Sequence, residues 1–282
     1  MKSMFTNPVL IKEFKLRFRA FKSFSGIMFY LLALSIFVFG FIFVLMDFNI
    51  SGFISSEESV MLFSLLTYVQ LALILFITPG MTAGSISSER EKQTLNILLT
   101  TAQSSFQIIF GKMSSSIVFL MLLLIAGLPI YSLVFLFGGV SPSQLIVIFA
   151  FLIVTMLAVG SIGVMFSTLL RKTIISMIAT YGSMLVLTGV TAFFFLISME
   201  MNRSGMTGVT SSPSIFAHFW GTINPIALMM TLIDPLMLDS FYEVTNIHFP
   251  IWAGYLIFYS LVTIVCLLIA VKRLRVNMKK VK

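Results

Sequence analysis

Ser88-Glu89-Arg90-Glu91-Lys92-Gln93-Thr94-Leu95-Asn96-Ile97-Leu98-Leu99 is a short charged block set between two long apolar runs. Residues 59–88, before it, carry no charged side chain, and after Lys112 the next charge is Arg171. Uncharged runs of that length suit hydrocarbon, where an ionised side chain is costly. The block therefore marks a point where the chain surfaces between two membrane crossings, and it is the best place for a water-soluble partner to touch.

Composition supports lipid as the solvent. Of 282 residues, 59% are hydrophobic and only 10% charged, against about 25% charged in an ordinary soluble domain. The single cysteine, Cys266, excludes an intrachain disulfide. Two histidines and no cysteine pair argue against a conventional metal site. The net charge of +8 does not point to nucleic acid, because the basic residues bracket apolar segments instead of covering a soluble face.

A crossing helix needs about 20 apolar residues. Six segments qualify: 23–46, 59–88, 113–137, 144–170, 173–199 and 251–271. Pro79-Gly80 predicts a kink in the second, and Gly138–Ser143 a tight turn after the third. The stretch 215–238 is apolar but interrupted by His218, Asn224-Pro225 and Asp234-Pro235. It reads as short helices, re-entrant or lying at the outer surface, within an outer segment 200–250. With six spans and the N-terminus inside, the inner basic residues are Lys2, Lys12, Lys15, Arg17, Arg19, Lys22, Arg90, Lys92, Lys112, Arg171, Lys172, Lys272, Arg273, Arg275, Lys279, Lys280 and Lys282. Only Arg203 is left outside. That asymmetry predicts cytoplasmic termini. The expected fold is an all-α membrane protein, residues 1–282 forming one transmembrane domain. The first span lacks a short apolar core with a small-residue cleavage site and reads as a retained anchor.

Two inner elements have helical patterning. Asn7 suits a helix cap and Pro8 its first position, predicting a helix over 8–22. Leu10, Ile11, Phe14, Phe18 and Phe21 share one side, while Lys12, Lys15, Arg19 and Lys22 share another. This is the pattern of a helix in the membrane interface with its basic side toward headgroups, although a cytoplasmic partner would fit the same pattern. In the charged block, Ser88-Glu89-Arg90-Glu91 predicts a capping box opening a helix over 89–101. Leu95, Leu98, Leu99 and Ala102 then fall on one apolar face. Ser104-Ser105-Phe106-Gln107 predicts a second capping box, restarting a helix that enters the membrane near Lys112.

The order of these parts resembles the permease subunit of ABC-2-type transporters. Ser87 to Thr100, continuing to Gly111-Lys112, looks like the family's acid-basic-acid triplet, Thr-Leu pair, double Leu and following Gly-Lys. Gln93 stands where members often have Gly, and the Pro common after the double Leu is absent. The resemblance implies two permease subunits, a second copy or a paralogue, working with cytoplasmic ABC ATPase subunits in the bacterial cell membrane. ATP and Mg would bind the partner ATPase, with no cofactor on this chain. The inner helix would be the coupling helix, with Glu89, Arg90, Glu91, Thr94, Leu95, Leu98 and Leu99 contacting the ATPase. Leucines would fill its groove and the acids would meet basic residues at its rim. Spans two and five would line the pathway. Phe193, Phe194, Phe195 and many Met there favour export of an amphipathic or apolar cargo such as a peptide, antibiotic or lipid.

No phosphate-binding loop G-x-x-x-x-G-K-[ST] occurs, so the motor is expected on another chain and this one is not itself an enzyme. An ion-gradient transporter would place ionisable groups at mid-membrane, and the six spans have none there. Gln70 reads as an interhelical hydrogen bond. Neither G-x-S-x-G nor H-E-x-x-H is present to suggest a membrane enzyme.

Overall fold

The computed structural model describes residues 8–19, 21–48, 55–95, 103–137, 140–204 and 214–279. Among them the regular structure is all helical. The helices are α1 (Pro8–Arg19), α2 (Phe21–Phe48), α3 (Ser56–Thr82), α4 (Ser87–Glu91), α5 (Ser105–Phe137), α6 (Pro142–Leu169) and α7 (Thr173–Leu185). A π turn (Val186–Val190) joins α7 to α8 (Thr191–Ser204). Then follow α9 (Ile215–Ile223), α10 (Pro225–Ile233), α11 (Pro235–Thr245) and α12 (Ile251–Lys279). Six stretches are long and apolar enough to cross a membrane: α2, α3 with its continuation α4, α5, α6, α7 through the π turn to α8, and α12. One end of the bundle carries α1, α4 and the α6–α7 turn and is rich in Lys and Arg. The other is rich in Asp and Glu.

The central span is α6. In its most apolar stretch 61% is buried, against 17% for α2 and 11% for α7–α8. It packs on α12, α3, α7 and α5. Close approach to α3 requires glycine: a Cβ on Gly163 would lie 2.1 Å from Thr82 Oγ1. Small residues replace the hydrophobic driving force that helices lack in lipid. Polar side chains add ties between spans. Tyr30 Oη donates to Gln70 Oε1 (2.5 Å), the interhelical bond expected of Gln70, and Thr155 Oγ1 lies 2.6 Å from Tyr255 Oη.

Among the described residues, short polar residues cap half of the helices. Ser55 and Glu58 cap each other's backbone at α3, and Ser104 and Gln107 do so at α5, as the second capping box predicts. Ser141 caps α6 with Pro142 in its first turn. α3 passes Pro79 and stops at Thr82. Asn7, residues 138–139 and residues 280–282 lie outside the described residues.

The segment between α8 and α12 dips into the bundle and returns. Ser214 N–H donates to Thr245 O (3.0 Å), so its start and end meet. α9 and α10 meet at 90°. Gln144 Nε2, in the first turn of α6, donates to Leu232 O (3.0 Å) and Ile233 O (2.9 Å), which returns the end of α10 to the acidic end. Asn224, at the corner, reaches Thr188 and Thr191 midway along span five. The two Asx-Pro pairs are helix starts as much as breaks. Asn224 caps α10 and Asp234 caps α11, each with Pro in the next position.

Candidate functional site: the charged block

The charged block folds differently from its predicted single helix. α4 spans only Ser87–Glu91. Ser88 does not cap it, because its Oγ donates backward to Gly84 O (2.5 Å). The cap comes instead from α6: Ser167 Oγ accepts from Ile86 N–H and Ser87 N–H, both at 2.9 Å. The helix is closed by Gln93 in the left-handed region, φ 58°. Gln93 N–H donates to Arg90 O (3.1 Å) and Thr94 N–H to Glu89 O (2.9 Å). This is a Schellman closure, whose left-handed residue is usually Gly. The expected helix over 89–101 is thus interrupted at 92–94.

Each charge of the triplet reaches a different element. Glu89 Oε1 accepts from Lys112 Nζ (3.1 Å), on α5, and Lys112 also donates to Glu13 Oε1 (2.9 Å), on α1. Lys112 is 6% exposed, so this pair of ion bonds is screened little on the lysine side. The Thr94 hydroxyl donates to the other Glu89 oxygen. Burial pushes the Glu89 carboxyl up, but Thr94 and Lys112 outweigh it and hold it below its ordinary value. Arg90 donates to Leu170 O and Thr168 O, both at 3.0 Å, satisfying carbonyls left open at the end of α6. Glu91 accepts from Thr173 N–H and Thr173 Oγ1, both at 2.8 Å, which caps α7. Those bonds hold the exposed Glu91 carboxyl below its ordinary value.

The remaining expected residues divide. Thr94 is exposed, whereas Leu95 turns into the chain's own core at 5% exposure. Leu98 and Leu99 lie outside the described residues. On α1, Lys12, Lys15 and Arg19 are exposed, and the Lys22 side chain is outside the described set. Phe14 and Phe18 face one another, and Phe18 meets Phe119 of α5, so part of the apolar side of α1 packs on protein. Sequence reasoning missed Glu13, Ser167 and Thr173 as members of this layer. Glu13 left one signal, being the lone acid in a basic segment. Ser167 and Thr173 left none, since their roles depend on where α6 and α7 end.

Six apolar spans, with a short charged helix at one end bonded directly to three of them, define a polytopic helical membrane protein. The chain matches the family described as ABC-2 family transporter protein over residues 56–272. It belongs to that family and is an ABC transporter permease, integral to a membrane. No curated protein matches the chain.

Proposed function

We propose that this chain is the membrane subunit of an ABC exporter whose ATP, Mg and hydrolysis reside on separate cytoplasmic ATPase subunits. The basic end is the cytoplasmic one, in a bacterial cell membrane, and the segment around α4 is where the ATPase seats. One observation carries this reading. α4 is bonded through Glu89, Arg90, Glu91 and the Ser167 cap to α5, α6 and α7 at once, and Lys112 of α5 carries the tie on to Glu13 of α1. A push on α4 therefore moves three spans and the N-terminal helix together, as a coupling element must. Because Leu95 is buried, the contact falls on the exposed positions 92–94 and on the segment that follows.

A second permease copy, or a paralogue, would cover the span formed by α7 and α8, the least buried of the six. Exposed Phe193 and Phe194 on α8 favour an amphipathic or apolar cargo, such as a peptide, antibiotic or lipid, moving along that seam.

Copurification of the tagged chain with its ATPase is the direct test. Replacing residues 92–101 by a Gly-Ser linker of equal length should abolish the complex, and an unchanged complex would sink the docking assignment. In a Cys266→Ser background, cysteines at Ser55 and Thr207 should label from outside, and those at Gln93 and Asn277 only from inside. Reversed labelling would overturn the orientation.

A further inference from the structure

The sequence suggests that Glu89 and Glu91 meet basic residues on the ATPase, but the fold gives both acids to this chain. Glu89 is held by Lys112 and Thr94, and Glu91 by two bonds to Thr173 at the start of α7. Arg90 is likewise committed to the carbonyls of Thr168 and Leu170.

Apart from Glu91, the exposed charges around α4 are of the other sign. Lys92 ends the helix, and Arg171 and Lys172 form the turn between α6 and α7 that Arg90 and Glu91 hold against it. Arg171 stands close enough to Arg90 for the two cations to repel, and Lys172 close enough to Glu91 to attract it. Lys12 of α1 lies within the field of Glu89, and Lys15 and Arg19 are exposed on the same helix. Within the α4 turn cluster, Arg90, Lys92, Arg171 and Lys172 face one exposed carboxylate, Glu91. Repelling cations held at a surface by hydrogen bonds are relieved by an opposing anion.

Resting on the ATPase-docking reading, we propose that Lys92, Arg171 and Lys172 form a docking rim for an acidic patch on the ATPase subunit. The turn between α6 and α7 is then a second contact element beside α4. The bonds of Arg90 and Glu91 keep the two in register.

The test uses the full chain, tagged, and the ATPase that copurifies with it, identified by its peptide masses. The ATPase retained should fall several-fold as salt rises from about 0.1 M to about 1 M, because screening shortens the reach of exposed charges from ~10 Å to ~3 Å. The triple variant Lys92→Glu/Arg171→Glu/Lys172→Glu should retain at least tenfold less at low salt. The charge-preserving pair Arg171→Lys/Lys172→Arg should retain as much as the wild type. Thiol-dye melting at buried Cys266 checks that each variant is folded. Retention insensitive to both salt and charge reversal would overturn the inference while leaving the docking reading intact. Loss of anionic lipid in phosphatidylglycerol nanodiscs, with ATPase retention unchanged, would assign the cations to headgroups and overturn it too. Failure of any ATPase to copurify with the wild type would take down the docking reading itself, and the inference with it.

Discussion

The basic end of the bundle and the corner at its mid-depth solve the same problem by different chemistry. At the basic end, a five-residue helix is held by ions: Lys112 between Glu13 and Glu89, Arg90 on the carbonyls of α6, Glu91 on the start of α7. In the inward-dipping segment, the corner between α9 and α10 is held by neutral groups. Asn224 Oδ1 accepts from Ile226 N–H (2.8 Å) and Ala227 N–H (3.1 Å). Its Nδ2 donates to Thr188 O (2.7 Å) in the π turn and to Thr191 Oγ1 (2.8 Å). Tyr259 Oη donates to Ile223 O (3.0 Å). The difference follows from depth. Non-helical backbone at membrane depth survives only where protein satisfies every polar group, and a neutral amide does so without the desolvation cost of a charge. Charges are used where water is close enough to solvate them in part.

Four substitutions, two of them with a companion variant, test that contrast, and each can be read by thermal melting with a thiol dye at Cys266, the single and buried cysteine. The largest loss is expected from Asn224→Leu, about 3 kcal/mol, because it uncaps α10 and removes the amide's two bonds to Thr188 O and Thr191 Oγ1 together. Asn224→Asp, which keeps the cap acceptor and loses the donors, should recover part of it. A melt unaffected by Asn224→Leu would mean that the corner is not held as described. Next comes Lys112→Met, which leaves Glu13 and Glu89 without their common cation. We expect about 2 kcal/mol, less than for a fully buried pair, because both carboxylates are partly exposed. Adding Glu13→Gln should restore some stability, and no restoration would break the ion-tie account.

Smaller effects refine the basic end alone. Ser167→Ala should cost about 1 kcal/mol by removing the only side-chain acceptor on the first N–H groups of α4 among the described residues. Gln93→Gly should have the opposite sign and stabilise by about 1 kcal/mol, since Gln93 occupies the left-handed region at φ 58°. A destabilising Gln93→Gly would show that the Gln side chain does something the backbone geometry does not require.

Much of this was legible in the chain, and the misreadings have physical causes. The six spans follow from run length, and Ser104–Gln107 capped its helix where the pattern placed it. Asn224-Pro225 and Asp234-Pro235 carry the same cap-and-start signal as Asn7-Pro8, yet inside an apolar stretch they looked only like interruptions. Ser88–Glu91 matched a capping box, but in the fold the acid of that box caps α7 instead. Local motifs state which bonds a segment is able to make, and neighbours brought close by folding compete for them. The departure at Gln93 was visible as a missing Gly, but its meaning needed the backbone angle.

By itself the sequence determined the solvent, the number of crossings and the position of the charged block, because these depend on transfer of side chains to lipid and need no partner. The tertiary structure decided where the block's charges go. Glu89, Arg90 and Glu91 are adjacent in sequence, but their partners are 23, 80 and 82 residues away along the chain. Only the packing of α6 against α5 and α7 brings those partners within hydrogen-bond reach, and so leaves Glu91 as the one exposed acid of the triplet among exposed cations.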